Sequence, residues 1–388
     1  MNDTSNPTTD GKTDLLKHPD RALIERAPKV LLHEHLDGGL RPGTVLELAK
    51  KAGYKGLPHD DPAALGAWFH AGADRKSLPL YLEGFMHTIA VMQTAEALER
   101  VAFEFVEDMA KDNVVYSEVR FAPHFHTGGG LGLDAVMVAV LSGLEQGQAK
   151  FGVQANLIVC AMRNESPELS EQLVELAIAY REQGCVGFDL AGEEAGHPAK
   201  EHLHAFQLAR RQNFAVTIHA GESFGPESIW QALQYCGAHR IGHGTRLVED
   251  LVIYEGKVIK VGPLAQYVLD HRIPLEICLQ SNVHTGATPS MAEHPFGLFL
   301  KLGFRLTLNT DNRLMSATTM SDEYMIAVEQ FGCSLDDLET LALNGMKSAF
   351  AHYDERCRII FDDIKVGYRS LRAELGLPPR QKYGEAPR

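Results

Sequence analysis

Short apolar runs recur along the chain, separated by longer stretches in which apolar residues return every three or four positions. Eight of these runs predict strands: Val30–His35, Val114–Phe121, Ala155–Met162, Cys185–Leu190, Ala215–His219, Arg240–His243, Ile273–Leu279 and Arg305–Thr310. The stretches between them predict amphipathic helices. Ser170–Glu182 carries Leu173, Leu176, Ala177 and Tyr180 at helical spacing, and His202–Arg211 repeats the pattern. Strands alternating with helices give βαβ units and a parallel sheet. Eight such units close most economically into an α/β fold of the (β/α)₈ TIM barrel type.

One connection does not fit a simple repeat. The stretch from Gly38 to Asn113 is too long for a single crossover helix and holds apolar patches at Ala64–Phe69 and Leu78–Phe85, before a long helix predicted over Thr94–Lys111. Extra helices inserted after the first strand are therefore expected, as a lid over the barrel mouth or as a stabilising decoration. Residues 1–20 read as a polar, flexible leader, 21–375 as a single metal-dependent hydrolase barrel domain, and 376–388 as a polar C-terminal tail. The leader lacks the apolar core of a signal peptide. No stretch approaches the roughly 18 consecutive apolar residues of a membrane span, so no membrane partner is expected and the cytoplasm is the default location.

Composition narrows the chemistry. With 388 residues, 45% hydrophobic and 23% charged, the chain has the make-up of a soluble globular enzyme. Its formal net charge of -14 argues against a nucleic-acid partner, which needs a basic face. Neither a CxxC pair nor a disulfide framework is formed by the six cysteines, several of which sit in apolar runs as buried thiols do. Their spacing also excludes the zinc deaminase plan built on HxE followed by PCxxC.

Four stretches place histidines or carboxylates just past apolar runs: His33-Glu34-His35-Leu36-Asp37-Gly38, His219-Ala220-Gly221-Glu222, Gly242-His243-Gly244 and Asn309-Thr310-Asp311-Asn312. Side chains alternate across a strand, so His33 and His35 face one way and offer two imidazoles to one cation. An HxH pair alone is a weak signal. Here it follows an apolar run and precedes an Asp-Gly turn, which puts it at a strand mouth. His219 closes another run, and the small residues after it let Glu222 swing back to the same mouth. Asp311 ends the eighth run, where a helix N-cap is its plain structural alternative. A second HxH, His124 and His126, follows Pro123 and reads as local hydrogen bonding rather than a ligand pair.

Taken in order, HxHLDG, LAGxE, HAGE, GHG and TD resemble the adenosine deaminase branch of the amidohydrolase superfamily, from about His33 to about Met315. The connecting segments Glu118–Pro123, Val186–Glu194 and Ser281–Val283 agree. The resemblance implies one zinc ion held by His33, His35, His219 and Asp311, with water in the remaining place. It implies Glu222 as proton shuttle to the purine ring and His243 as the group that orients and helps deprotonate the water. Asp37 would accept from a ribose hydroxyl, and the Gly192 backbone N–H would meet a ring nitrogen. The implied reaction is hydrolytic deamination of adenosine and 2′-deoxyadenosine in purine salvage, with a small-molecule purine nucleoside as partner.

The chain departs from the family at one place: TDDP is replaced by Thr310-Asp311-Asn312-Arg313. Where the second aspartate occurs it must be protonated to donate to purine N7, whereas the Asn312 amide donates at any pH. Other 6-aminopurines remain as alternatives: adenine, aminodeoxyfutalosine, nucleotides or modified adenosine. Asp37 resembles the nucleoside enzymes, since adenine and aminodeoxyfutalosine deaminases tend to carry glutamate there. A two-metal amidohydrolase would want a lysine at the end of the fourth strand, and Cys185–Leu190 has none. A non-catalytic, zinc-stabilised binding protein would have lost the shuttle carboxylate first, and Glu222 is present. Oligomeric state is not legible.

Overall fold

A computed structural model describes residues 15–380. Its strands, in chain order, are β1 (Lys29–His35), β2 (Val114–Phe121), β3 (Gln154–Met162), β4 (Cys185–Ala191), β5 (Ala215–Ala220), β6 (Arg240–His243), β7 (Leu251–Tyr254), β8 (Lys257–Val261), β9 (Leu275–Ile277) and β10 (Leu306–Leu308). Eight of them run parallel around a barrel in the order β1-β2-β3-β4-β5-β6-β9-β10. The first and last strands meet through a parallel bridge between Glu34 and Asp311. His35 N–H donates to the Asp311 carbonyl at 2.7 Å, and Asp311 N–H to the His33 carbonyl at 2.9 Å. A side chain completes the closure: Leu32 N–H donates to the Asn309 amide oxygen at 2.9 Å. The barrel and its surrounding helices follow the predicted architecture.

The predicted elements shift mainly at their ends. The seventh and eighth barrel strands are shorter than their apolar runs, because Pro274 precedes β9 and Cys278 already starts the helix Leu279–His284. Thr94 caps the helix Ala95–Lys111 by accepting from Ala97 N–H, and Ser166 caps Pro167–Ala179 in the same way. The first connection forms five helices: Pro42–Ala52, Pro62–Ala73, Leu78–Leu82, Phe85–Val91 and Ala95–Lys111. One element had no place in the sequence reading: the antiparallel hairpin of β7 and β8, which lies outside the barrel sheet. Positive φ at Glu255 and Gly256 gives the two-residue turn that suits a twisted hairpin. Of the leader, residues 1–14 lie outside the described residues, as do 381–388 of the tail. Among the described residues no helix is long and apolar enough to cross a membrane.

The barrel interior is unusually ionic. Arg120 reaches Asp189 at 2.8 Å and Glu276 at 3.0 Å, while Arg240 pairs with Glu276 and with Glu118 at 2.6 Å. All five side chains are buried. Charges taken this far from water persist only when paired and hydrogen-bonded. Their pairing fixes Asp189 and Glu276, whose carboxylates also reach up towards the mouth.

Candidate active site

His33 leaves β1 with its Nδ1 against Glu276 Oε2 at 2.8 Å. His219 leaves β5 with its Nδ1 3.0 Å from Asp189 Oδ2. Each buried carboxylate accepts the Nδ1 proton and so turns the Nε2 lone pair outwards. His33 Nε2 is buried with no hydrogen-bond partner and lies 3.3 Å from Asp311 Oδ1. His35 Nε2 sits 3.1 Å from His219 Nε2 and 3.5 Å from Asp311 Oδ1. His243 joins them: ligand-type atoms of His33, His219, His243 and Asp311 lie within 4.8 Å of one another. Acceptors crowded this closely in a buried site repel unless a proton or a cation sits among them. The donor set of imidazoles and one carboxylate suits a borderline-soft divalent metal.

Titration follows the same geometry. Burial lowers the pKa of His35 to about 3 and that of His219 below its ordinary value, keeping both in the neutral form that can ligate. For His33, burial and the Arg120 charge oppose protonation, yet the neighbouring carboxylates of Asp311 and Glu276 outweigh them and raise its pKa. Burial also raises the Glu222 carboxyl well above the usual range, helped by the charges of Asp311 and Glu194. Glu222 Oε2 stands 3.6 Å from His243 Nε2. Its loop is held by the Glu194 carboxylate, which accepts from the backbone N–H groups of Gly221, Glu222 and Ser223 at 2.8–3.2 Å.

Two site residues carry left-handed backbone without being glycine: His243 at φ 62° and Asp311 at φ 61°. Such positions cost on the order of 1–3 kcal/mol each and persist where the surroundings over-determine them. For His243 the neighbouring glycines explain how. A Cβ at Gly242 would lie 3.1 Å from His33 Cε1, and one at Gly244 2.8 Å from Leu275.

Of these groups His35, His219 and Asp311 border a cavity of about 320 Å³, which Asp37, Asn312 and Gly192 also line among mostly apolar neighbours. Gly192 has φ 94°, a conformation that a side chain would strain. Asn312 lies so close to Gly38 that a Cβ there would meet its Oδ1 at 1.8 Å. Of the apolar residues in the first connection, Leu82 and Phe85 line the cavity with Leu78, Tyr81 and Met86, whereas Phe69 is buried in the core. The structure thus brings every sequence-predicted site residue to one mouth. His124 and His126 stay outside the metal-type cluster, but they do not make the local hydrogen bonds expected of them: His126 Nδ1 donates to the Met92 carbonyl, 34 residues away, at 3.1 Å, and among the described residues neither His124 nitrogen has a hydrogen-bond partner.

The sequence reading missed the residues that hold the ligands: Asp189, Glu276 and Glu194, together with Ser281, whose hydroxyl bonds Asp311. Asp189 and Glu276 lie in the middle of apolar strands, where an isolated carboxylate is itself a signal that something buried needs it. The arginines that a phosphate would require are committed elsewhere. Arg313 pairs with Glu34 and Asp108, both at 2.9 Å. Arg246 pairs with Glu249, and Arg163 donates to the carbonyls of His197 and His219.

Comparison with known proteins places the chain in a family. Residues 28–365 match the family described as adenosine deaminase. The chain is 52% identical over 375 residues to adenosine deaminase 1 of Streptomyces coelicolor, covering 95% of this chain and 93% of that one. It is 54% identical over 353 residues to an adenosine deaminase of Mycobacterium sp. (strain JLS), covering 90% and 97%. The crystal structure of an adenine deaminase from Arthrobacter aurescens superposes with a TM-score of 0.78 at 25% identity, over 89% of this chain and 98% of that one. From the ordered motifs, the shared barrel and these matches, the chain belongs to the adenosine deaminase family.

Proposed function

We propose that this protein hydrolyses adenosine and 2′-deoxyadenosine to inosine and 2′-deoxyinosine with release of ammonia. The observation that carries the reading is the convergence of imidazole lone pairs and Asp311 beside the buried Glu222 carboxyl, on the wall of an apolar cavity. His33, His35, His219 and Asp311 would hold one Zn²⁺ per chain. When bound, the cation supplies the Lewis acidity that makes water a competent nucleophile near neutral pH.

The chain's own residues then do the positioning and the proton work. Hydrolytic attack at C6 breaks the purine's aromaticity and places negative charge on N1. Glu222, buried and free of any ligand duty, delivers a proton there; such steps are typically worth about 10²–10⁴ in rate. His243 orients the attacking water beside Glu222. The Gly192 N–H meets a ring nitrogen, and the Asn312 amide donates to N7. Asp37 accepts from a sugar hydroxyl. Leu78, Leu82 and Phe85 cover the base and exclude bulk water, which strengthens every charge interaction inside.

Among the described residues the cavity wall carries no arginine or lysine, which favours a nucleoside over a nucleotide. Asp37 favours a nucleoside over free adenine, because a carboxylate facing the cavity needs a donor such as a sugar hydroxyl. Residues 21–375 act as one catalytic domain, and the reaction fits purine salvage in the cytoplasm. The test is ammonia release, followed by absorbance, from a panel of adenosine, adenine, AMP and N6-methylated adenines, with and without a chelator. A zinc-loaded sample that leaves adenosine intact ends the reading; adenine turning over faster than adenosine moves it to the free base.

A further inference from the structure

His243 faces the cluster with a ring nitrogen whose protonation the rest of the molecule decides. The decision starts at a backbone amide. Phe296 N–H donates to His294 Nδ1 at 3.1 Å. A backbone N–H can only donate, so His294 Nδ1 holds its lone pair. Burial lowers the His294 pKa to about 3, and its one proton therefore sits on Nε2. That nitrogen is 3.2 Å from Asn282 Oδ1, which also accepts from the Thr245 hydroxyl at 3.0 Å. The His294 N–H settles which way Asn282 points, and the Thr245 hydroxyl, able to donate or accept, follows it.

Its Nδ2 is then turned to His243 Nδ1, at 2.9 Å. An amide nitrogen has protons to give and no lone pair to accept with, so His243 Nδ1 is the acceptor. A ring with a bare Nδ1 is neutral, because an imidazolium carries a proton on both nitrogens. The remaining proton is on Nε2, the nitrogen that stands 3.6 Å from Glu222 Oε2.

We propose that Asn282 and His294 are positioning residues that lock His243 in its Nε2–H tautomer, making it a hydrogen-bond donor to the oxygen that attacks the substrate. The chemical role of His243 rests on the deaminase reading above; the tautomer does not. A protonated nitrogen cannot ligate a cation, so His243 leaves the ligand set although it lies within reach, and His35 takes the third imidazole place. A protonated nitrogen also cannot take a proton from water. The orienting part of the role expected for His243 survives, and the deprotonating part falls to Glu222 only after it has given its own proton to N1, when its carboxylate can take one from the oxygen added at C6.

The relay uses three elements distant in sequence: the strand end at His243, the helix Leu279–His284 that carries Asn282, and the turn His294-Pro295-Phe296. Pro295 cannot donate through its nitrogen, which leaves the Phe296 N–H as the group that bonds back to His294.

The experiment is nitrogen NMR of protein labelled with ¹⁵N-histidine, metal-free and zinc-loaded, with the His243 signals identified by their loss in His243→Gln. Wild-type protein should show His243 protonated at Nε2 and bare at Nδ1 in both forms. Asn282→Asp replaces the donor with an acceptor and should move the proton to Nδ1. In that variant kcat on adenosine should fall about 10²–10³-fold, as for loss of one preorganised donor, with KM little changed. His294→Leu should release the lock, and His294→Gln, which still offers an N–H, should restore tautomer and rate. A wild-type His243 protonated at Nδ1 overturns the proposal even if no variant folds. So does an Asn282→Asp protein with unchanged tautomer or unchanged kcat. Failure of wild-type protein to deaminate adenosine would overturn the functional reading alone, and the wild-type spectrum would still decide the tautomer.

Discussion

The barrel interior and the barrel mouth draw on largely different strands of one barrel, the interior ions on β2, β4, β6 and β9 and the mouth groups on β1, β5 and the end of β10, and treat charge in opposite ways. In the interior, Arg120 and Arg240 are each shared between carboxylates of Glu118, Asp189 and Glu276, so every ion has a partner. At the mouth, His33, His35, His219 and Asp311 present acceptors to one another, and His33 Nε2 has no partner at all. The two layers are joined by Asp189 and Glu276, which are paired below and hold the histidines above. Satisfaction underneath is what allows dissatisfaction on top: imidazoles free to rotate would turn their lone pairs away from each other. A cation site of this kind is a deliberately unfinished hydrogen-bond network resting on a finished one.

Four experiments separate the layers, the largest expected effect first. Glu222→Gln removes the proton donor and touches no ligand, so turnover of adenosine should fall by about 10²–10⁴ while zinc content per chain stays at wild type. Loss of metal in that variant would mean the roles at the mouth are misassigned. Arg120→Met breaks the interior layer and strands the carboxylates of Asp189 and Glu276. Denaturant unfolding should show a loss of about 3–5 kcal/mol, the usual penalty for an uncompensated buried charge. An unchanged midpoint would show that the interior pairs contribute nothing, and the comparison would collapse.

Metal removal acts on the mouth alone. Chelation should lower the thermal midpoint by the binding linkage, about 4 kcal/mol when free metal stands at a thousand times Kd, and leave the circular dichroism of the barrel intact. His219→Ala should abolish that difference, since it removes a ligand while Asp189 keeps Arg120 as its partner below. The smallest effect concerns Asn312. Replacing a hydrogen bond to N7 with an apolar side chain in Asn312→Leu should raise KM for adenosine by up to about tenfold, equivalent to roughly 0.5–1.5 kcal/mol. Asn312→Asp should retain activity only at low pH, where the new carboxyl keeps its proton. Equal kinetics for wild type and Asn312→Leu would remove the N7 contact from the mechanism.

Much of this was legible before folding. The period of the apolar residues marks all eight barrel strands to within about two residues at either end, the seventh and eighth too generously. His33, His35, His219, His243 and Asp311 each follow an apolar run, and the strand rule that puts side chains at alternate positions on one face joins the first two. What the pattern concealed has a physical cause in each case. The hairpin Leu251–Val261 escaped because it is short and leaves Val252, Ile253, Tyr254 and Ile259 exposed, so burial did not shape its sequence. Asp189 and Glu276 escaped because a single carboxylate within an apolar strand does not disclose which residue across the barrel it meets.

The sequence on its own determined the element types, the mouth on which the chemistry lies and the kinds of ligand available, because these depend on local periodicity and residue chemistry. Only the tertiary structure decided which nitrogen of each histidine is free. That choice is made by partners 243 residues away for His33 and Glu276, 30 away for His219 and Asp189, and 39 away for His243 and Asn282. Local propensity carries no information about such pairs. A proton goes to the nitrogen that faces an acceptor and leaves the one that faces a donor, and those partners arrive only when the barrel closes.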